Sequence, residues 1–247
     1  MPYAVTPLAS KTYKFTQSRY DDVPVLPMRA LCLAPSGSGK SVLLQRMITD
    51  IFDGCFSAGV HIFSHSINID DTWTPVKQWM EKNEFSVNKY CHDKYDETTL
   101  AEVMAEQKSV VEYQKKKGHK SLFQMLVVFD DMLDDHKLMR FSKQLEILFV
   151  RARHLAISTV VSVQKYRSVM TSARVNTTDE FVFASIRNQH DLKAWLEESS
   201  ALIPEDQLLE IYRKAKQIPY AFLWLKKQAM EDDLIHIGFN PAEKLTS

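Results

Sequence analysis

Apolar residues recur along this chain in two patterns: short unbroken runs, and longer stretches with helical spacing. Ala30 to Ala34, Gly59 to Ser64, Met125 to Asp131 with its polar end, Ile157 to Val163 and Glu180 to Ala184 are the unbroken runs. Such runs read as strands buried on both faces, as in a parallel sheet. Between them lie helical patterns. Leu43, Leu44, Met47, Ile48, Ile51 and Phe52 mark the first, and Leu100, Val103, Met104 and Val111 the second. The second begins at Thr99-x-x-Glu102, which has the form of a capping box, and stops at Lys115-Lys116-Lys117-Gly118. A third has Leu138, Phe141, Leu145, Leu148 and Phe149 on one side, and two more cover Asp191 to Glu198 and Glu205 to Lys216. Strands alternating with helices predict an α/β fold: a mostly parallel central sheet with helices on both faces. Tyr220 to Leu225 and Leu234 to Phe239 are close enough in sequence to form a hairpin at the sheet edge.

Residues 72–96 are mixed and have room for a short helix and a connecting strand. Residues 1–28, with Pro2, Pro7, Pro24 and Pro27, read as an arm or edge strand, in which KTYKF at 11–15 alternates enough to pair. A single domain over 29–247 is expected to follow.

Composition narrows the setting. Formal net charge is zero over 247 residues, so there is no global electrostatic signature for nucleic acid, and any such role needs local patches or a multi-subunit ring. Cys32, Cys55 and Cys91 are odd in number and unpaired in spacing, which argues for a reducing compartment and against a disulfide framework or zinc site. His61 and His65 fall on one face of a strand but too far apart to chelate, and are expected to be satisfied or exposed. With no signal pattern and no apolar run of membrane-spanning length, the expectation is a soluble intracellular protein without a membrane partner.

The chemistry starts at the end of the first strand. Pro35-Ser36-Gly37-Ser38-Gly39-Lys40-Ser41-Val42 joins a strand to a helix, the context of a phosphate-binding loop. Gly37 and Gly39 let backbone N–H groups turn inward as an anion nest. Lys40 is expected to reach the β- and γ-phosphates, and the Ser41 hydroxyl to sit on Mg²⁺. The usual pattern opens on Gly; here Ala34 stands in that place. Asp130 and Asp131 end the strand that finishes 90 residues beyond Lys40, and ligands bind at such C-terminal ends. Asp130 is placed to hold Mg²⁺ and Asp131 to act as general base on a water. Alternatively, both cap the next helix. Gln164 closes the fourth strand, where it is either a contact to the γ-phosphate or water, or a turn residue.

APSGSGKS, LVVFDD, a helix ending in Arg153, ISTVVSVQ and RVN, in that order, resemble the FtsK–HerA superfamily of DNA-pumping ATPases. The double Asp and the RH-x-x-IS segment are most similar to the poxvirus-type genome-packaging ATPases. The resemblance covers roughly 29–185. It implies a P-loop fold of the RecA/FtsK type that binds ATP and Mg²⁺ and translocates double-stranded DNA as a homo-oligomeric ring, with a capsid or portal component as partner at a site of virion assembly in host cytoplasm or nucleus. It also implies catalytic roles for Asp131 and for Gln164 as sensor, and a trans-acting finger at Arg153 or Arg151; a helix C-terminus complemented by positive charge is the bland reading of these arginines. Lys165-Tyr166-Arg167 departs from the Arg-Pro that usually follows the glutamine. Lys115 to Lys120 and Lys165 to Arg174 are the candidates for a DNA-gripping loop. Two other classes fit the loop: a different P-loop NTPase, such as a cellular-type DNA pump or a nucleotide kinase, and a non-catalytic nucleotide-binding packaging factor.

Overall fold

A computed structural model describes residues 12–69, 71–132 and 142–241. Its centre is one nine-stranded sheet. The strands are β1 (Arg29–Leu33), β2 (Gly59–Ser64), β3 (Cys91–His92), β4 (Met125–Asp130), β5 (Ile157–Val163), β6 (Asp179–Phe183), β7 (Phe222–Lys226), β8 (Ile235–Ile237) and β9 (Asn240–Pro241), in the spatial order β3-β2-β4-β5-β1-β6-β7-β8-β9. All pairings from β3 to β6 are parallel, and β7, β8 and β9 add on antiparallel. The expected edge hairpin is therefore present and carries one further strand.

The helices are α1 (Lys40–Arg46), which runs on as a π-helical turn over Met47–Ile51, then α2 (Thr74–Lys82), α3 (Val87–Tyr90), α4 (Glu97–Lys116), α5 (Lys143–Arg151), α6 (Thr171–Val175), α7 (Gln189–Ser199) and α8 (Glu205–Ala215). Alternate residues of each central strand feed two separate cores. Leu31, Leu33, Val127 and Phe129 pack with Leu100, Leu148, Trp195 and Leu208 from α4, α5, α7 and α8. Ala30, Cys32, Leu126 and Val128 pack on the other face with Leu44, Ile48 and Val76 from α1, its extension and α2. Both faces are covered, so the strands are buried along their length and mostly apolar.

The start of α4 differs from the expected capping box. Asp96 is the N-cap, and its carboxylate accepts from the backbone N–H and hydroxyl of Thr99. Thr99 is thus inside the first turn, and Asp96, an equally good cap residue, takes its place. In the third helical pattern, Leu145, Leu148 and Phe149 are buried on α5, whereas Leu138 and Phe141 lie outside the described residues. The arm pairs at one point: Lys14 donates its N–H to the Lys120 carbonyl and bridges Ser121. Lys11, Pro2 and Pro7 lie outside the described residues.

His61 is buried in β2 and its Nδ1 lies 3.1 Å from His92 Nε2 on β3, with the two rings stacked. His65 has left the strand and faces the Asp93 carbonyl. Burial, then the neighbouring His92, lowers the His61 pKa from 6.5 to about 3. The unfolded imidazole binds a proton that the folded one refuses, so this group's contribution to stability is present above pH 6.5 and is lost as the pH falls toward 3. Between pH 7 and pH 5 the loss should be about 2 kcal/mol. Denaturant midpoints at the two pH values, compared with those of His61→Phe, test it: the variant should show a flatter pH dependence, and an unchanged slope would refute it.

Candidate functional site

Three parallel strands set the geometry. β5 lies between β1 and β4, so whatever follows β5 stands between the loop after β1 and the carboxylates after β4. Ala34 is buried, and its N–H still bonds the Val163 carbonyl at 2.9 Å, extending the ladder by one residue. No positive φ is required there, which explains why the usual Gly is dispensable. The turn comes later. Ser38 donates through its hydroxyl to the Pro35 carbonyl at 2.7 Å. Gly37 and Gly39 take φ of 74° and 97°, a region that side chains strain to enter. Leu43 then bonds back to the Gly39 carbonyl and α1 is under way.

Lys40 is buried and reaches across to the next strands. Its Nζ is 3.3 Å from Asp130 Oδ1 and 3.2 Å from Asp131 Oδ2. Asp130 is the last residue of β4 and is itself buried. Burial raises its pKa and Lys40 opposes that rise. The Oδ1 contact is an ion pair without hydrogen-bond alignment, so this oxygen has no hydrogen-bond partner among the described residues. Asp131 is half-exposed and sits at φ 53°, uncommon for a residue other than Gly. Strain of this kind, at about 1–3 kcal/mol, persists where surrounding structure imposes it and clusters at functional sites. Gln164 supplies part of the restraint, donating from Nε2 to Asp131 Oδ1 at 2.9 Å.

These groups open onto a cavity of about 930 Å³. Ser36, Gly37, Gly39, Lys40, Ser41 and Val42 line it on one side, and Asp130 and Asp131 at its inner end. Pro35 and Ser38 hold the turn from behind. Two carboxylates face one ammonium group, and Ser41 lines the same cavity. A buried carboxylate oxygen with no hydrogen-bond donor, in a cavity also lined by a serine, is a donor set that suits a hard divalent cation such as Mg²⁺.

Arg151 and Arg153 are not part of this cluster. They precede β5 and stand at the opposite end of the sheet, where Arg153 borders a second cavity of about 800 Å³ with Arg29, Lys115 and His154. The Lys115 to Lys120 run is at that same end, while the stretch from Lys165 to Arg174 starts on the loop side after Gln164 and ends at the far side, where the Arg174 carbonyl accepts from Lys227. No charge or motif in the sequence marks the outer wall of the first cavity. It consists of Phe183, Tyr220, Phe222 and Phe239, brought together by the antiparallel strands. The available signal was aromatic residues at the ends of edge strands, which acquires meaning only once the pairing Phe183↔Phe222 is known.

A family model described as Poxvirus A32 protein matches residues 16–218. Uncharacterized protein 075L of Invertebrate iridescent virus 6 is 24% identical over 143 residues, covering 58% of this chain and 53% of that protein. The chain therefore spans about half the length of the curated relative it matches. Among solved structures, genome packaging NTPase B204 from Sulfolobus turreted icosahedral virus 2 superposes with a TM-score of 0.58 at 15% identity in its complex with AMP, over 87% of this chain and 98% of that one. Its complex with ATP-gammaS gives 0.55 at 16%, over 88% and 100%. EssC (ATPases 2 and 3) from Geobacillus thermodenitrificans gives 0.51 at 14%, over 98% of this chain and 49% of that one. At these identities the structural likeness speaks for the fold alone: a mostly parallel α/β sheet shared with these NTPase structures.

Proposed function

The chain belongs to the Poxvirus A32 protein family, and on that premise we propose that it is an ATP-hydrolysing motor that moves double-stranded DNA into a viral capsid. The observation that carries the hydrolytic part is the joined set Lys40, Asp130, Asp131 and Gln164 at the mouth of the loop. A merely nucleotide-binding protein has no use for a strained carboxylate tied to a glutamine. That the B204 structures hold AMP and ATP-gammaS supports the same reading.

The loop's N–H groups and Lys40 take the β- and γ-phosphates. Lys40 is ion-paired with two carboxylates, so it exchanges these contacts for phosphate oxygens when the triphosphate enters. Ser41 and Asp130 would hold Mg²⁺, which when bound neutralises charge on the β- and γ-oxygens. Asp131 orients the attacking water and accepts its proton, and Gln164 keeps the carboxylate turned toward the phosphate. Phosphoryl transfer asks for positioning and charge more than for covalent chemistry, and these four side chains provide it.

Arg151 and Arg153 stand too far round the fold to serve their own loop, so a finger role for either requires a neighbouring subunit. A ring meets that requirement. It also lets a chain of zero net charge hold DNA, because only the pore has to be basic. Capsid or portal contacts belong to the same proposal.

The test is ATP turnover with and without double-stranded DNA. Lys40→Ala and Arg153→Ala should each be nearly inactive. Mixed, they should regain turnover, because each supplies what the other lacks at a shared boundary. Full turnover by dilute, monomeric Arg153→Ala would end the trans-finger proposal. Turnover indifferent to DNA, with phosphate passed to a small molecule, would end the motor.

A further inference from the structure

Resting on the reading of the loop as a nucleoside triphosphate site, the geometry points to Tyr220 as the platform on which the nucleotide's base stacks. The site thereby extends beyond the phosphates to the base.

Tyr220 occupies a turn that does not suit it. Ile218-Pro219-Tyr220-Ala221 closes with the Ala221 N–H on the Ile218 carbonyl at 3.2 Å, and Tyr220 has φ 59°. Pro at the second place and a positive φ at the third are the features of a type II turn, whose third residue is normally Gly or Asn. A tyrosine there strains the backbone, and its side chain gains no buried packing in return: the residue is 74% exposed. Residues held in such conformations are retained where surrounding structure or function imposes them.

The ring points the same way. It borders the cavity that holds Lys40 and Asp130, and Tyr220 Cδ1 lies 3.5 Å from where a Cβ on Gly39 would be. Behind it, Phe183 at the end of β6, Phe222 at the start of β7 and Phe239 beyond β8 continue the wall. Phe222 is fixed edge-on to Phe239, with ring centroids 5.4 Å apart. The three phenylalanines have no hydrogen-bonding group, so this wall holds a base by its face and is tolerant of its edge. It stands on the β6 side of β1, away from the carboxylates. Phosphates toward Asp130 and base toward Tyr220 therefore span the cavity in one direction. The ligand class is a nucleoside triphosphate, held by its phosphates at one end and by the face of its base at the other.

The turn chemistry supplies an unusually clean test. Tyr220→Gly gives the turn the residue it prefers, so the variant should fold with an unchanged or higher melting temperature. It should bind a non-hydrolysable ATP analogue more weakly by between roughly fivefold and a hundredfold, the range found when one base loses an aromatic partner. Inorganic tripolyphosphate, which lacks the base, should bind wild type and variant alike. Tyr220→Phe, which keeps the ring, should retain most of the affinity. Equal affinity of wild type and Tyr220→Gly for the ATP analogue overturns the platform while leaving the phosphate site standing. A parallel loss for tripolyphosphate would equally overturn it, by placing the effect on the loop. Wild type that binds neither triphosphate overturns the platform and the nucleotide reading together.

Discussion

Asp131→Asn is expected to leave nucleotide binding intact and to slow ATP turnover by roughly 10²- to 10⁴-fold, the contribution of a positioned general base. The substitution is unusually specific. Asn has the shape of Asp and tolerates the positive φ of 53° that this position demands better than most residues. The amide oxygen can still accept from Gln164, which stands 2.9 Å away in the native protein. Lys40 keeps Asp130 as a counter-charge at 3.3 Å. What disappears is the capacity to take a proton from water. Single-turnover phosphate release, with analogue affinity measured alongside, separates this from a folding defect. Turnover within a few-fold of wild type would mean that another group is the base.

Glu180→Ala should be the most damaging change away from the cavity, costing about 3–5 kcal/mol, as for other buried charges stripped of a partner. The Glu180 carboxylate is fully buried in β6. It receives Lys227 Nζ at 2.6 Å, Trp195 Nε1 at 2.8 Å, the Thr177 hydroxyl at 3.2 Å and the Tyr166 hydroxyl at 3.4 Å. Truncation leaves an indole N–H and a phenol in the core without an acceptor, and each such orphan carries its own desolvation cost. Against a total stability of about 5–15 kcal/mol for a typical domain, this is a large fraction. The damage should reach catalysis as well. Tyr166 comes two residues after Gln164, and its backbone N–H is held by Asp191 at 3.1 Å. Denaturant midpoints read the first effect and kcat the second. Glu180→Gln, which keeps the shape and one acceptor, should recover much of both. A midpoint for Glu180→Ala close to that of wild type would show that the core tolerates these orphans.

The parts of this site that the sequence made legible are those in which one stretch dictates its own geometry. SGSGKS between an apolar strand and an amphipathic helix forms the loop wherever it is placed, and LVVFDD ends a buried strand in carboxylates by construction. That Gln164 would touch Asp131 followed from neither stretch alone. It depends on β5 being inserted between β1 and β4, a long-range pairing that periodicity does not encode. The aromatic wall was hidden for the same reason: Phe183 and Phe222 are 39 positions apart and meet only across an antiparallel pair. Two local signals were misjudged or absent. Asp96 and Thr99 compete for the same cap, and only backbone geometry decides between them. Tyr220 breaks the residue preference of its turn, so no rule of turn composition would have found it.

The two ends of the sheet have a consequence for how copies of this chain meet. One rim is β3, of two residues, and the other is β9, also of two, ending in Pro241, which has no N–H to offer. Rims this short give a neighbour little regular strand to extend, although β3 covers β2 only at Ile62 and Phe63. Among the described residues, strand-to-strand accretion, the common route to irreversible aggregates when many copies crowd together, has only short edges to work on. Among the described residues, helices and loops offer far more surface for contact between copies than the two rim strands do. Contacts of that kind form and release without unravelling the sheet.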